Sequence, residues 1–294
     1  MATANTLTRG TNFDPKVVAD LVSKVRGKSS LAKLSKQIPV SFNGTKEFTF
    51  TFDNEIDIVA ENGAKSAGGA QATPVTIVPI KFEYGARVSD EFMYASEEER
   101  INVLKEFNEG FAKKVARGLD IAAMHGLNPR TMASSAVIGT NHFDSKVTQT
   151  VTSTGNIDAD IESAVGLVEG SDAEITGMAA SNVARQNLSK VTTTDGARVY
   201  PELAWGGNPD SINGLSVDFN STVGANSVDD AIVGDFENMF HWGYAKEIPM
   251  KVIEYGDPDN TGKDLQGHNQ VYIRAEVYLG WGILDPNSFA RVLA

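Results

Sequence analysis

The sequence predicts an α+β fold, in which strands and helices occupy separate stretches of the chain. Apolar and polar residues alternate with a period of two in parts of residues 48–88 and again over 271–279, as in half-buried strands. Between these stretches, apolar residues recur every three or four positions from Ile101 to Ala122, as on one face of a helix. Beyond residue 150, short helical and strand-like segments alternate. Together these patterns predict the α+β class.

Composition excludes several classes of function. The 294 residues include 26 basic and 38 acidic side chains, for a net charge of -12, and no cysteine. Disulfides, thiol nucleophiles and thiolate metal ligands are therefore excluded. No apolar run approaches the roughly 20 residues that span a bilayer, and no leader pattern follows Met1, so we expect a soluble protein without a membrane partner. This acidity argues against a protein that coats nucleic acid through Lys and Arg, and it is compatible with one that encloses nucleic acid.

The first 46 residues differ from the rest in charge. They hold eight basic and two acidic residues, which gives this segment a net charge of +6. Because the whole chain has a net charge of -12, residues 47–294 carry -18. Asp14-Pro15 and the apolar stripe from Val17 to Val25 predict a short amphipathic helix. Two interpretations stay open: a solvated, mobile terminus, or an arm that lies across the acidic body of a neighbouring copy.

A long β-hairpin is expected next. Phe48, Phe50 and Phe52 alternate with polar residues, and a return strand is expected from Val75 to Val88. The segment between them, 53–73, is rich in small residues. Loops longer than about 12–15 residues are usually functional or disordered. A phosphate loop is excluded, because Ala64 precedes Lys65 and no glycine leads the motif.

Ser96 is expected to begin the longest helix. Its hydroxyl and the Glu99 carboxylate form the pattern of a capping box. The apolar period continues to His125, and Gly126 is expected to end the helix. At about 1.5 Å per residue, this helix is a rod on the order of 45 Å long, which favours a plate-shaped molecule.

The remaining elements alternate between the two types. The pattern predicts helices at 160–170 and 181–191 and strands at 175–179, 215–219 and 271–279. A further strand is predicted from Ala231 through Phe236, and residues 239–245 are expected to continue it.

Several short motifs accompany this order of elements. They are Glu61-Asn62-Gly63-Ala64-Lys65, Ala86-Arg87-Val88-Ser89-Asp90-Glu91-Phe92, Ala116-Arg117-Gly118-Leu119-Asp120, Asp195-Gly196-Ala197-Arg198-Val199-Tyr200-Pro201, Gly214-Leu215-Ser216-Val217, Gly234-Asp235-Phe236 and Asp285-Pro286. In style and order they resemble the major capsid proteins of tailed bacteriophages, which have the Hong Kong 97-like fold. The resemblance covers nearly the whole chain and depends on the order of the motifs more than on any one of them.

The resemblance implies a particular division of the chain. The expected parts are an N-terminal arm (1–36), a peripheral-domain strand (37–52), an extended hairpin loop (53–76), a peripheral domain (77–130) with a spine helix (96–125), an axial α/β domain (131–245), and a return through the peripheral domain to a C-terminal strand (246–294).

The resemblance also implies a structural role rather than an enzymatic one. Pentamers and hexamers of the chain would form an icosahedral shell around double-stranded DNA, without sequence-specific binding, cofactors or metals. A portal and a separate scaffolding protein, or assembly without a scaffold, are expected, with a decoration protein as a further candidate partner. The protein would belong to the virion and assemble in the cytoplasm of the bacterial host. The candidate inter-subunit contact residues are Arg9, Lys16, Lys24, Arg26, Glu61, Lys65, Gly68 and Gly69.

Some members of this family crosslink their subunits covalently. By resemblance, Lys65 of the hairpin would attack a neighbour's asparagine, for which the candidates are Asn260, Asn269 and Asn287. The alternative is that Lys65 is a solvated charge at a flexible tip.

Two other functions are weighed against a viral capsid. One keeps the fold: an encapsulin-like compartment, with the helix at 14–25 docking a cargo enzyme. The other is an acidic metal-dependent enzyme. The four histidines show no HExxH spacing, and no Gly-x-Ser-x-Gly elbow occurs. Residues 257–262 imitate the start of a calcium loop, but Thr261 and His268 stand at two ligand positions, so a turn is favoured.

Overall fold

The computed structural model describes residues 24–25, 28–94 and 97–294. The predicted contacts of Arg9, Lys16 and Arg26 lie outside the described residues, as do the predicted capping hydroxyl of Ser96 and most of the helix expected at 14–25. Lys24 and Val25 are described, and both are helical.

The described residues form twelve strands and seven helices, together with three short 3₁₀ turns. The helices are α1 (Ser30–Leu34), α2 (Glu91–Tyr94), α3 (Glu97–His125), α4 (Phe143–Lys146), α5 (Ile157–Glu169), α6 (Asn182–Leu188) and α7 (Phe236–Met239). The strands are β1 (Lys36–Gln37), β2 (Thr45–Phe52), β3 (Ala70–Ile77), β4 (Ile80–Ser89), β5 (Thr150–Thr152), β6 (Gly177–Ala180), β7 (Ser211–Ile212), β8 (Leu215–Phe219), β9 (Asp229–Gly234), β10 (Phe240–Ile253), β11 (Gln270–Ile283) and β12 (Phe289–Leu293). The 3₁₀ turns are Pro201–Gly206, Gln266–His268 and Pro286–Ser288. Across these residues, no helix has both the length and the apolar character needed to cross a membrane.

The expected hairpin is present as a two-stranded ribbon, β2 and β3, which pair from Thr45 with Ile77 to Phe52 with Ala70. The return strand expected from Val75 to Val88 is wrong as a single strand. Val78 and Pro79 separate β3 from β4, and β4 joins a different sheet. Proline has no backbone N–H to donate to a ladder, so a break at Pro79 is physically favoured.

The smaller of the two remaining sheets has four strands in the order β1-β10-β11-β4. The long helix α3 packs on this sheet, and one buried cluster includes Phe111 and Leu119 of α3 together with Val277 and Trp281 of β11. The indole N–H of Trp281 donates to the carbonyl of Asn141 at 2.8 Å, so its polar group is satisfied inside the core.

Helix α3 has 29 residues and is therefore about 44 Å long. It ends at His125 as predicted, because Gly126 adopts a positive φ of 67°, which glycine tolerates best.

The larger sheet has six strands in the order β5-β12-β9-β6-β8-β7. The strand predicted at 215–219 is confirmed as β8. The continuous strand predicted from Ala231 to Ala245 is wrong: β9 and β10 lie in different sheets, and α7 separates them. Asp235 causes the break, because its carboxylate accepts the N–H of Asn238 and caps α7. The boundary expected at residue 245 falls within β10, and β12 joins the larger sheet between β5 and β9.

Candidate functional site: surfaces and buried charge clusters

One face of the β2–β3 ribbon is apolar and exposed. Phe48, Phe50 and Phe52, here called the aromatic stripe, are 56%, 70% and 78% exposed. Residues two apart on a strand share a face, and directly paired residues of neighbouring strands point to the same side. The cross-strand partners of the aromatic stripe are Pro74, Ala72 and Ala70. These six residues therefore form one continuous apolar surface.

The exposure of the aromatic stripe corrects the sequence analysis, which predicted that these phenylalanines are the buried side of a half-buried strand. Glu47 and Thr49, on the opposite face, are the partly covered residues. The reason is that the ribbon is a separate sheet, and neither larger sheet contributes a strand to it among the described residues.

Residues 53–69 form the tip of the ribbon, outside helices and strands. The Asp53 carboxylate accepts the N–H of Gly69 at 2.6 Å, and the N–H of Asp53 donates to the Gly69 carbonyl at 3.1 Å. A Cβ atom at residue 69 would lie 2.6 Å from the Asp53 carboxylate, so any side chain at this position would displace that carboxylate. The predicted contact residues Glu61, Lys65 and Gly68 also lie in this tip and are exposed.

The basic segment after residue 23 pairs with the acidic body of its own chain. The ammonium of Lys24 lies 2.9 Å from the carboxylate of Glu109 on α3. Lys33 lies 2.9 Å from Asp210 and 3.2 Å from Asp218. Burial disfavours the charge on Lys33, but the hydrogen bonds to these two carboxylates outweigh it and raise its pKa. Lys24, a predicted inter-subunit contact, thus has an intrachain partner.

Asp120 of α3 is a buried node that connects this segment to the body. Its carboxylate accepts hydrogen bonds from the hydroxyls of Ser29 (2.5 Å) and Thr222 (2.8 Å), and from the backbone N–H groups of Ser30 (3.0 Å) and Leu31 (3.3 Å). Burial raises the pKa of Asp120 to about 6, although these hydrogen bonds oppose the increase. The node joins α1, α3 and the loop after β8.

A second buried node lies where α3 ends. His125 Nδ1 faces the carboxylates of Asp144 (3.1 Å) and Asp229 (3.4 Å), and His125 Nε2 lies 3.0 Å from the carbonyl of Thr222. Because both ring nitrogens face acceptors, the imidazolium form is favoured. Burial opposes that charge, but the hydrogen bonds to the two carboxylates outweigh it and raise the pKa of His125 to about 9.

Arg291 of β12 completes this node. Its guanidinium lies 2.9 Å from Asp144 and 2.8 Å from Asp229. Ligand atoms of His125, Asp144 and Asp229 lie within 4.8 Å of one another, a spacing that a metal ion could use. However, two cationic groups already balance the two carboxylates, so the residues present suit an ion-pair network better than a metal centre. The node ties together α3, α4, β9 and β12.

Arg87 of β4 explains the loop that imitates a calcium site. Its guanidinium donates to Asp257 (2.7 Å), to both carboxylate oxygens of Asp259, to the Thr261 hydroxyl (2.7 Å) and to the Lys263 carbonyl (2.9 Å). The hydrogen bond from Arg87 lowers the pKa of Asp259. The Arg87 guanidinium thus binds the oxygen atoms that a calcium ion would need, which favours the interpretation of residues 257–262 as a turn.

The residues predicted for crosslinking lie on four separate elements. Lys65 is in the tip, Asn260 in the loop around Arg87, Asn269 directly before β11 and Asn287 in the turn before β12. All four are exposed. A bond between Lys65 and one of these asparagines would join two copies, and it stays a prediction.

Sequence reasoning missed the two buried nodes. Asp120 left one signal, an acidic residue within the apolar period of α3 beside Leu119 and Ala122. The residues of the His125 node are spread from position 125 to position 291, and no local pattern connects them.

Comparison with known proteins identifies relatives over most of the chain. A model described as the phage capsid family matches residues 13–292. A search of curated proteins found no match. A solved chain from Mycobacterium phage Ogopogo is 34% identical, with a TM-score of 0.77, over 90% of this chain and 92% of that one. A chain from Gordonia phage Cozz is 27% identical, with a TM-score of 0.74, over 90% and 86%. A structure described as "Capsid of native GTA particle computed with C5 symmetry" is 15% identical, with a TM-score of 0.64, over 100% and 94%, and shows a shared fold.

Proposed function

Since this chain belongs to the phage capsid family, it is a structural major capsid protein with the Hong Kong 97-like fold and a component of the virion shell, and we propose that pentamers and hexamers of it close an icosahedral shell around double-stranded DNA. The C5 symmetry of the GTA particle capsid, which shares this fold, supports the pentamers by analogy.

The main observation in support of self-assembly is that the aromatic stripe of Phe48, Phe50 and Phe52 is exposed in the single subunit. A two-stranded hairpin is marginally stable in water by itself, and an apolar face of this kind marks a site of protein contact. Covering the exposed parts of three phenylalanines would stabilise an assembly by about 4 kcal/mol, at roughly 2 kcal/mol for each fully buried ring. In a shell of identical subunits, the surface that covers the stripe belongs to a neighbouring copy.

The charge distribution supports the proposed contents. Residues 47–294 carry a net charge of -18, the difference between -12 for the chain and +6 for residues 1–46. Like charge disfavours adhesion of DNA to the inner wall, so the DNA would be enclosed without sequence-specific binding. Scaffolding and portal proteins, and a decoration protein, are further proposed partners of a shell that assembles in the bacterial cytoplasm.

The tip residues Glu61, Lys65, Gly68 and Gly69 are proposed to contact the neighbour that the ribbon overlies. Their exposure and the shape imposed by the Asp53–Gly69 hydrogen bonds support this assignment. Arg9, Lys16, Lys24 and Arg26 are proposed as further contacts, with Lys24 shared between a neighbour and Glu109.

The test is assembly of stripe variants. Purified wild-type protein, expressed alone and with its scaffold, should form rings or shells in electron micrographs and sediment accordingly. The triple variant Phe48→Ser, Phe50→Ser, Phe52→Ser should keep the wild-type circular dichroism spectrum but remain unassembled. The control is Thr49→Ser with Thr51→Ser, on the opposite face of β2, which should assemble normally. Shells of normal size from the triple variant would refute the role of the stripe.

The contents of wild-type particles test the rest of the proposal. Nuclease-protected double-stranded DNA is expected in particles from infected cells. A co-purifying cargo enzyme without DNA would instead favour the encapsulin-like alternative. Wild-type protein that stays monomeric under all of these conditions would overturn the proposal as a whole.

A further inference from the structure

Trp205 is a large apolar residue that the ribbon contact does not use. Its side chain is fully exposed, whereas the other two tryptophans of the chain, Trp242 and Trp281, are fully buried. Tryptophan carries about 150–250 Å² of contact surface and is enriched among the residues that dominate protein interfaces.

The backbone displays this side chain at an energetic cost. Trp205 has φ +57° and ψ +25°, in the left-handed region that bulky residues rarely occupy. Strained residues of this kind persist only where the surrounding structure determines them, and they concentrate at functional sites. The strained backbone of Trp205 therefore has to be held by contacts on either side of it.

The turn around Trp205 is held on both sides. Leu203 is buried before it, and the Arg185 guanidinium donates to the carbonyl of Gly206 at 2.7 Å after it. A Cβ atom at Gly207 would lie 2.0 Å from the carbonyl oxygen of Glu202, so the chain folds back tightly and only glycine fits there. These contacts hold the turn in a conformation that exposes the indole of Trp205 to solvent.

The surroundings of Trp205 form a face of their own. Helix α6 packs against the turn and exposes Val183, and Val199 is exposed just before the turn. Residues 207–210 connect the turn to β7, the outermost strand of the larger sheet, at the edge opposite β5. Among the described residues, the ribbon pairs with no strand of this sheet, so the aromatic stripe and the Trp205 turn belong to different parts of the fold.

Interface area argues that a second surface is needed. The apolar face of the ribbon is about 26 Å long and about 10 Å wide, or roughly 260 Å², from eight residues per strand. A stable interface buries about 800 Å² on each partner. The aromatic stripe and its cross-strand partners fall short of that value by themselves, and Trp205 is a bulky apolar group on another part of the same chain.

We propose that Trp205 anchors a second contact between copies of this chain, by inserting into the adjacent subunit of the same pentamer or hexamer. The inference rests on the proposed function, because it requires that the chain forms rings. In a ring, every subunit meets its neighbour head to tail, so one protruding residue and one receiving surface per chain satisfy all copies at once. A partner present in fewer copies would leave most of the tryptophans in water.

Tryptophan fluorescence gives a direct test, because Trp205 is the exposed member of the three tryptophans. Acrylamide is the suitable quencher, since it is neutral and the net charge of -12 would repel iodide. Unassembled subunits should show a quenchable, red-shifted component that Trp205→Phe removes. In wild-type shells, that component should fall at least fivefold and shift to the blue.

A glycine variant separates assembly from folding. Trp205→Gly relieves the left-handed backbone, so the unassembled subunit should melt at or above the wild-type temperature, while the concentration required for assembly rises at least tenfold. Val137→Ala, at another exposed apolar residue, is the matched control and should assemble like wild type.

The outcomes distinguish this inference from its premise. Shells that form normally from wild type and from Trp205→Gly, with Trp205 as quenchable in shells as in subunits, would overturn the inference and leave the capsid role intact. Wild-type protein that never forms rings would remove the premise, and the inference with it.

Discussion

Replacing Asp120 by asparagine tests whether a buried carboxylate controls the attachment of the N-terminal segment to α3. The side chain is fully buried, and its four hydrogen-bond partners are all donors: two hydroxyls and the backbone N–H groups of Ser30 and Leu31. Asparagine has nearly the same shape but never ionises. The comparison of the two proteins across pH therefore isolates the charge of this one group.

The size of the effect follows from the pKa. Burial raises the pKa of Asp120 to about 6 in the folded protein, against an ordinary value of 3.8. Because the folded state binds the proton more tightly, the stability contributed by Asp120 is fully present below about pH 4 and is lost as the pH rises through 6. A difference of about two pH units corresponds to a loss of about 3 kcal/mol.

The assay is urea unfolding of dilute, unassembled subunits between pH 4 and pH 8. The buried tryptophans Trp242 and Trp281 report unfolding, and urea helps to keep the chain dissolved near its pI of about 4.8. Relative to Asp120→Asn, wild type should lose about 2 to 3 kcal/mol over this range, a shift in midpoint of about 1 M. Thr222→Val, which removes one donor to the carboxylate, should move the loss to higher pH.

The opposite slope would refute the reasoning. If wild type gains stability over Asp120→Asn as the pH rises, the four hydrogen bonds outweigh burial and the pKa of Asp120 is lowered rather than raised. A difference that does not change with pH would show that Asp120 has the same pKa in the folded and unfolded states. Asp120→Ala should be less stable than Asp120→Asn at every pH, by about 2 to 4 kcal/mol, because alanine leaves the N–H groups of Ser30 and Leu31 without an acceptor, whereas the amide oxygen of asparagine can still accept.

Four further predictions concern other parts of the molecule. The pKa of His125 is raised to about 9 from 6.5, so its contribution is present below pH 6.5 and is lost as the pH rises through 9. His125→Asn should abolish this loss of about 3 kcal/mol in urea midpoints measured between pH 6.5 and 9.5. Arg87→Ala should release residues 257–263, so that trypsin cleaves after Lys263 sooner than in wild type, by mass spectrometry. Added calcium should leave the wild-type melting temperature unchanged, because the guanidinium already fills the loop. Shells boiled in detergent decide between the two interpretations of Lys65: a solvated charge at the exposed tip gives one 31.5 kDa band for both wild type and Lys65→Arg, whereas a ladder of multiples in wild type alone would establish the crosslink.

Local signals predicted the elements that depend on local forces. The apolar period of α3 and the glycine at position 126 were sufficient to place the end of the longest helix. Alternation with flanking turns placed β8 at Leu215–Phe219. The order of elements and motifs was sufficient for the family and hence for the structural role.

Alternation did not reveal where one strand ends and another begins. The period of two continues from β3 into β4 across Pro79, and from β9 into β10 across the helix capped by Asp235, yet each pair divides between two sheets. Which sheet a strand joins depends on distant partners, so the local pattern is the same on both sides of the break.

The sequence by itself determined that Phe48, Phe50 and Phe52 share one face of a strand, that α3 is long, and that the charge of the chain is uneven. Only the tertiary structure decided that this aromatic face is the open one and that Trp205 is the exposed tryptophan. It also gathered His125 and Arg291, which are far apart in the chain, around the same two carboxylates. The physical reason is that periodicity specifies which residues share a face, whereas burial depends on what packs against that face.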